Sequence, residues 1–305
     1  MTSTIGFGTA GELPVSLQIP GYRLRRLVGS DAIGLWLDCE QTSLERKLTV
    51  KVLKPEFETN AAAHREFLAE MDRLAMLNHP NLLQVLDSRR EDPLALVTER
   101  IGAKTLATLV ESRKPVPPDE ALQHVLSVAQ AMAYIHGEGF THKNLRPELV
   151  AINASDVARV VTFRNIIPLE ELGKLRGKVV QDARYVAPEQ LGGSDEIGPK
   201  ASSYQLASIL FHLLAGQPPH LGTDTKELAL AHFREPYPSL KSRQPFLAGA
   251  ILDLVADATQ RDPGERPTPG EMAERIEDIL AGNTKGRATS SGGAPRARRR
   301  RRRRR

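Results

Sequence analysis

Apolar and polar residues alternate along the first hundred positions in a way that predicts short strands around one helix. Strands are predicted where β-branched and aromatic residues cluster between turn residues, at 22–28, 33–39, 48–53, 82–86 and 93–98. A helix is predicted over 61–78, because Phe67, Met71 and Leu74 recur at three- and four-residue intervals. This part of the chain should form a small, β-rich lobe.

Beyond Ile101 the apolar residues follow a helical period. Helices are predicted at 105–112, 118–137, 202–215, 247–260 and 270–280. Strands followed by helices indicate an α+β fold of two lobes, and ligands often bind in the cleft between such halves. We therefore expect a flexible leader at 1–20, an N-lobe at 21–100 and a larger helical C-lobe at 101–281.

Positive charge is concentrated in residues 282–305, which we call the arginine-rich tail. Lys285, Arg287, Arg296 and the run from Arg298 to Arg305 carry 11 positive charges without one acid. Subtracting them from the total of +5 leaves −6 for residues 1–284. Having few apolar groups, the tail is predicted to be disordered.

Arginine binds phosphate through two parallel hydrogen bonds, so the predicted partner of the run from Arg298 to Arg305 is a polyanion. RNA, DNA, polyphosphate and anionic lipid all qualify. The alternatives are a solvated tail without a partner, or contact between the tail and the acidic part of the chain.

Cysteine and histidine usage argues against several other classes of protein. The single cysteine, Cys39, cannot form an internal disulfide and suits a reducing compartment. The eight histidines form no HxH or HxxxH pair, so no metal site is predicted. No signal peptide and no apolar run of about 18 residues is present, so we expect a cytoplasmic protein without a transmembrane segment.

Several short motifs occur in a fixed order along the chain. A loop bounded by Gly29 and Gly34 precedes the strand predicted at 48–53, which contains Lys51, and a second loop begins at His142. Ala187-Pro188-Glu189 follows later. In this order the motifs resemble the Ser/Thr protein kinase family, especially its bacterial branch, over about residues 21–281. The resemblance implies a small N-lobe, a helical C-lobe and a nucleotide between them.

By this resemblance, nucleotide phosphates would lie beneath the glycine loop and against Lys51, whose partner would be Glu70. Asp31 replaces the middle glycine and places a negative charge where the phosphates would sit. The alternatives are a plain hairpin at Gly29 and Gly34, and solvent-exposed charges at Lys51 and Glu70.

The resemblance also assigns the positions around adenine. They are a gatekeeper, Thr98, the hinge from Glu99 to Ile101, and the residues above and below the base, Trp36, Thr49 and Ala151. Tryptophan is far larger than the valine usual at its position, so Trp36 is predicted to fill the adenine space. The alternative is an indole that points to solvent.

The residues that would carry phosphotransfer are mostly replaced. Asn144 stands where the family has its catalytic aspartate, and Leu149 replaces an asparagine that holds Mg²⁺. Thr162 replaces the aspartate of the D-F-G motif, while Arg146 occupies the place of the catalytic-loop lysine. Because an amide cannot accept a proton and leucine offers no metal ligand, no catalytic residue is expected.

Positions that support the fold are better preserved. Glu189 and Arg266 match a buried ion pair of the C-lobe. The apolar column that joins the lobes corresponds to Leu74, Val85, His142 and Phe163. An aspartate that usually holds the catalytic loop is replaced by Ser202.

Together these residues predict a pseudokinase that acts as a regulatory or scaffolding module for protein partners. It would require no cofactor, although ATP binding without Mg²⁺ remains open because Lys51 and Glu70 are kept. One alternative is a weakly active, atypical Ser/Thr kinase in which Glu148 or Asp182 serves as the base. A second is a nucleic-acid- or ribosome-associated protein that binds through the tail.

Overall fold

The structure is a computed structural model. It describes residues 17–102, 104–161, 165–172, 183–191, 198–222 and 224–283. The predictions made for most of the leader, for Thr162 and Phe163, for Asp182 and for nearly all of the arginine-rich tail therefore lie outside the described residues.

A five-stranded antiparallel sheet, in the order β1-β2-β3-β5-β4, forms the N-lobe. Its strands are β1 (Tyr22–Ser30), β2 (Gly34–Gln41), β3 (Arg46–Leu53), β4 (Val85–Arg89) and β5 (Ala95–Glu99). Helix α1 (Ala61–Ala75) contacts β3 and β4. It begins after Asn60, whose side chain accepts hydrogen bonds from two backbone N–H groups of the first turn.

Side-chain alternation divides the sheet into two different faces. Leu37 and Val50 belong to an apolar cluster on one face. Trp36, Lys51 and Thr49 project from the other face, where Trp36 lies directly opposite Lys51 in the pairing of β2 with β3. Trp36 joins the main core cluster, which continues into the C-lobe. The second face therefore brings an aromatic, a cationic and a hydroxyl side chain to the cleft.

The C-lobe is mostly helical. Its helices are α2 (Leu106–Ser112), α3 (Pro118–Gly137), α4 (Leu169–Leu172), α5 (Pro188–Leu191), α6 (Ala201–Ala215), α7 (Thr225–Arg234), α8 (Leu240–Arg243), α9 (Gly249–Ala258) and α10 (Pro269–Leu280). Two small antiparallel pairings join β6 (Phe140–His142) to β9 (Ile166–Pro168) and β7 (Val150–Ile152) to β8 (Ala158–Val160). Helix α3 packs against α6, α10 and β8, which makes it the central helix of this lobe.

The predicted α+β architecture of two lobes is confirmed, with differences at element boundaries. The strand predicted at 82–86 is wrong in position, because β4 is Val85–Arg89. Leu82 and Leu83 pair instead with Val160 of the C-lobe, so the apolar run is divided between two partners. Sequence periodicity did not predict the short elements β6 to β9, which are only three residues long. Among the described residues, no helix has the length and apolar character needed to cross a membrane.

A buried ion pair connects α5 to the segment before α10. The guanidinium of Arg266 donates to both carboxylate oxygens of Glu189, at 2.6 and 2.9 Å. Arg266 is 1% exposed, and it also donates to the carbonyl oxygens of Gln260 and Arg261. Since a buried charge without its partner is costly, this pair should be a major determinant of C-lobe stability.

We predict that Arg266→Ala lowers the free energy of unfolding by about 3–5 kcal/mol, because it leaves the Glu189 carboxylate buried without its partner. Urea denaturation followed by circular dichroism measures this change. Arg25→Ala is the matched control, because Arg25 donates to Glu40 at the same distance, 2.6 Å, but on the surface. Equal losses of unfolding free energy in Arg266→Ala and Arg25→Ala would show that burial does not determine how much the ion pair contributes to stability.

Candidate nucleotide site and catalytic loop

Lys51 lies at the centre of a buried cluster of charges. Its Nζ is 2.7 Å from both carboxylate oxygens of Glu70 and 2.7 Å from Oδ2 of Asp31. The three residues are each 3% exposed or less. The structure thus brings Lys51 and Glu70 together, and it adds Asp31 to the pair.

Asp31 also binds the backbone of its own loop. Its Oδ1 accepts hydrogen bonds from the backbone N–H groups of Ile33, at 3.1 Å, and Gly34, at 2.8 Å. Its own N–H donates to the carbonyl oxygen of Gly34 at 2.9 Å. The carboxylate therefore contacts both the loop amides and Lys51, the groups that the resemblance assigns to nucleotide phosphates.

Gly34 permits this arrangement because it has no side chain. A Cβ atom at Gly34 would lie 2.4 Å from Cε of Lys51, closer than non-bonded carbons approach. The lysine side chain passes over the glycine on its way to Asp31. Gly34 thus leaves room for the side chain of Lys51, whereas the resemblance assigns the space beneath the glycine loop to nucleotide phosphates.

The electrostatics of the cluster disfavour a further anion. Burial alone would lower the pKa of Lys51, but the charges of Glu70 and Asp31 raise it above its usual value. Burial raises the pKa of Glu70, and the charge of Asp31 adds to this effect. Burial would also raise the pKa of Asp31, yet Lys51 and the loop amides hold it below its usual value. Two carboxylates face one ammonium group, so no positive charge is left over for a phosphate.

Trp36 is buried beside this cluster and does not point to solvent. It is 1% exposed, and its indole N–H lies 3.3 Å from Oδ2 of Asp31. Nζ of Lys51 lies 5.3 Å from the centre of the indole ring and 5.4 Å from that of Phe67, within the range of cation–π attraction. The aromatic rings and the carboxylates together enclose the ammonium group.

The backbone of the hinge is hydrogen-bonded within the protein. The N–H of Ile101 donates to Oγ1 of Thr49 at 2.9 Å. The hydroxyl of Thr98 lies 2.9 Å from the carbonyl oxygen of Glu99 and 3.2 Å from that of Thr49. These are the hinge groups that the resemblance expects to meet a base, and here two threonine hydroxyls contact them.

A charged contact crosses from the hinge to the C-lobe. Arg159 in β8 pairs with the carboxylate of Glu99, which also accepts a hydrogen bond from the N–H of Gln84. On the adjacent strand, Ala151 is 4% exposed and belongs to the same core cluster as Trp36. Arg159 was not predicted from the sequence, because no spacing rule relates it to the hinge.

The catalytic loop places neutral and apolar groups where acid–base chemistry would occur. Asn144 is 7% exposed, and its Oδ1 has no hydrogen-bond partner among the described residues. Leu149 is completely buried. Arg146 is also buried, and its Nε lies 4.0 Å from the carboxylate of Glu148. The side chains of Asn144, Leu149 and Arg146 cannot remove a proton from a hydroxyl at neutral pH.

Magnesium does not fit the described part of this site. The ion needs hard oxygen ligands, and the buried Leu149 provides none where the family has an asparagine. The second ligand position, Thr162, lies outside the described residues, although a neutral hydroxyl is a poor substitute for a carboxylate.

A glutamine takes part in anchoring the catalytic loop. Nε2 of Gln190 donates to the carbonyl oxygen of Lys143 at 3.1 Å. Ser202, at the position of the family's anchoring aspartate, is bound instead to Nε2 of His136 at 3.1 Å. Gln190 directly follows Ala187-Pro188-Glu189, but nothing in the sequence marks it as an anchor.

The apolar column is only partly within the described residues. Leu74 is 2% exposed in the main core cluster, and Val85 packs against that cluster. His142 is 1% exposed. Phe163 lies outside the described residues, so the contact that would complete the column is not described.

Residues 22–277 match the family of the protein kinase domain, and the chain therefore belongs to this family. It is 29% identical over 280 residues to the serine/threonine-protein kinase PknD of Mycobacterium tuberculosis, a match that covers 90% of this chain. It is also 29% identical over 269 residues to the probable serine/threonine-protein kinase PknB of Lactococcus lactis, covering 87% of this chain. The matched region spans 42% of each of these two relatives.

We predict that Trp36→Val combined with Thr49→Ala allows the protein to bind adenosine, because it makes room for the base and frees the N–H of Ile101. Adenosine tests the base alone, since it carries no phosphate to be repelled by Asp31. Isothermal titration calorimetry measures the affinity. The cost in stability should be about 2–4 kcal/mol, as expected for a large-to-small substitution in a core.

The matched control is Trp36→Val with Thr49→Ser, which makes the same space but keeps a hydroxyl near the N–H of Ile101. Its affinity for adenosine should be about 3- to 10-fold lower, the equivalent of one hydrogen bond. Tight adenosine binding by the unmodified protein would contradict this description of the cleft.

Proposed function

We propose that this chain is a catalytically inactive member of the protein kinase family that acts by binding a protein partner. The observation that carries the proposal is the position of Asp31. Its carboxylate lies 2.7 Å from Lys51 and within hydrogen-bond distance of two loop amides. It thereby satisfies the groups that would otherwise hold nucleotide phosphates.

The adenine side of the cleft supports the same conclusion. Trp36 provides a buried aromatic ring, and the Thr49 hydroxyl accepts the hydrogen bond of Ile101. In our proposal the ring of Trp36 takes the place of the adenine ring. The hydroxyl of Thr49 takes the place of the adenine atom that would accept the hydrogen bond of Ile101. A nucleotide would have to displace three sets of native contacts, so the protein is proposed to bind no ATP and to need no cofactor.

The catalytic loop supports the loss of phosphotransfer independently of nucleotide binding. A positioned base contributes about 10²–10⁴-fold to a reaction rate, and Asn144 cannot serve as one. Metal ions contribute several kcal/mol more, and Leu149 removes one ligand. Starting from kinase turnover numbers of roughly 1–100 per second, the combined loss leaves negligible activity even where the two effects overlap.

A protein-binding role fits the contrast between the chemistry and the scaffold. The buried pair of Glu189 with Arg266 and the contact of Glu99 with Arg159 stabilise the C-lobe and join it to the hinge. These interactions preserve the shape of the two lobes without a nucleotide. We propose that this shape, presented in the cytoplasm, is what the protein partner recognises.

The second candidate function is an atypical Ser/Thr kinase. Its relatives carry the names of serine/threonine-protein kinases. Glu148 offers a carboxylate in the catalytic loop, 3.4 Å from Arg184, and its Oε2 has no hydrogen-bond partner among the described residues. In this alternative Glu148 would act as the base. It requires a nucleotide in the cleft, which the cluster around Lys51 disfavours.

We predict that the purified protein transfers no labelled phosphate from ATP to itself or to a generic substrate, because the catalytic base is absent and the nucleotide-binding groups are already bonded within the protein. Lys51→Ala is the control for contaminating kinases, since true activity should disappear in this variant. Labelling that depends on both Lys51 and Glu148 would establish the atypical kinase instead.

Reversion of the catalytic residues alone should fail to restore activity. We predict that Asn144→Asp with Leu149→Asn and Thr162→Asp remains inactive. Asp31, Trp36 and Thr49 still fill the cleft and bond to the groups of the protein that would bind a nucleotide. Adding Asp31→Gly, Trp36→Val and Thr49→Ala should give detectable phosphotransfer. Activity in the three-residue reversion would show that the cleft already accepts ATP.

The arginine-rich tail is proposed to bind a polyanion, with RNA, DNA, polyphosphate and anionic lipid as the possible classes. The proposal rests on its 11 positive charges beside a remainder of the chain that carries −6. No aromatic residue interrupts the tail, so nothing in it stacks on bases. Binding to a nucleic acid should therefore be independent of base sequence.

We predict that the logarithm of affinity for duplex DNA falls with the logarithm of salt concentration at a slope near −7. This slope corresponds to about eight neutralised phosphates. Fluorescence anisotropy with mixed-sequence DNA across a salt series measures it. Residues 1–284 provide the control, because they lack all 11 positive charges of the tail. Equal affinity of the two proteins, or no response to salt, would exclude a role for the tail in polyanion binding.

A further inference from the structure

Three potential metal ligands meet on the C-lobe outside the kinase cleft. Glu120 and His124 are four residues apart on α3, which places them on one face of the helix. Asp156 lies in the turn between β7 and β8, and α3 packs against β8. One ligand atom from each of the three residues lies within 4.8 Å of the others.

His124 has a buried nitrogen that the surrounding protein does not satisfy. The residue is 2% exposed, and its Nε2 has no hydrogen-bond partner in the described part of the chain. Buried polar atoms are nearly always paired, so such an atom calls for an explanation.

Two cations already contact the carboxylates, but each uses one oxygen. Nη1 of Arg113 lies 2.8 Å from Oε2 of Glu120. Nζ of Lys104 lies 3.1 Å from Oδ1 of Asp156. The other carboxylate oxygens can turn toward His124, because Glu120 is only partly buried and Asp156 is exposed. Arg113 and Lys104 would then orient the ligands from outside.

We propose that Glu120, His124 and Asp156 bind a first-row divalent transition metal, for which Zn²⁺ is the best match. One imidazole and two carboxylates, with water at the fourth position, form a tetrahedral set that zinc accepts. Ligand atoms around zinc lie about 3.3 Å apart at bond lengths of about 2.0–2.1 Å, so the side chains must close slightly on the ion. The metal would fasten the first turns of α3 to the turn between β7 and β8.

This site was not predicted from the sequence, because the eight histidines form no HxH or HxxxH pair. A carboxylate four residues before a histidine is common on solvated helices, and Asp156 is distant in sequence. The inference is independent of the proposed function, because none of the three residues lies in the cleft.

The test is titration of the untagged protein, residues 1–305, with ZnCl₂ by isothermal titration calorimetry, with the visible spectrum of added Co²⁺ as a second readout. We expect one equivalent to bind and the cobalt spectrum to be that of a tetrahedral site. Since changes outside the ligand set typically weaken metal binding about 10- to 100-fold, His124→Leu and Asp156→Asn should each weaken it at least about tenfold.

Asp156→Asn keeps the test valid if His124→Leu fails to fold. Asp156 has a φ of +60°, a conformation that asparagine also adopts readily, so the turn should be preserved. His64→Gln is the control for surface histidines and should leave the affinity unchanged. Absence of binding at about 1 mM zinc, or binding that survives Asp156→Asn undiminished, would overturn the proposal.

Discussion

The buried contact between Lys51 and Asp31 determines how the rest of the cleft is arranged. An ammonium group that is 1% exposed needs compensating negative charge, and it lies 2.7 Å from carboxylate oxygens of both Asp31 and Glu70. To reach Lys51, the loop between β1 and β2 folds so that its own amides bind Asp31. Gly34 leaves space for the lysine, and the ring of Trp36 packs beside the ammonium group. The need to balance the buried charge of Lys51 therefore connects the loop, strands β2 and β3, and α1.

The proposed loss of ATP binding follows from satisfied interactions more than from missing residues. Lys51 and Glu70 are retained, but Asp31 shares them. The hinge amide of Ile101 is also retained, but the hydroxyl of Thr49 accepts its hydrogen bond. A competing ligand gains little from groups that already have good partners, because it exchanges one hydrogen bond for another. We propose that the two-lobed scaffold remains available to bind a protein.

Much of the fold and part of the site could be predicted from the sequence. Hydrophobic periodicity located most of the longer helices, but not α7, and four of the five N-lobe strands. The motif order paired Lys51 with Glu70. The sequence also suggested that Asp31 would oppose phosphates, but not that it would bind Lys51, because that contact depends on how the loop folds. The hydrogen bond of Thr49 could not be predicted, since it connects positions 52 residues apart. Arg159 and Gln190 were missed for the same reason: their roles come from tertiary contacts alone.

The most direct test of whether the native contacts in the cleft exclude ATP is a thermal-shift titration. The unmodified protein is titrated with ATP, with and without Mg²⁺ or Mn²⁺. A ligand at 100 times its Kd stabilises the folded state by about 2.7 kcal/mol, which corresponds to a rise in Tm of several degrees. Binding of ATP to the tail should not produce this rise, because the tail carries the same charges in the folded and unfolded states. We expect an unchanged Tm at about 1 mM ATP under all three conditions. A rise that requires Mg²⁺ and disappears in Lys51→Ala would contradict it.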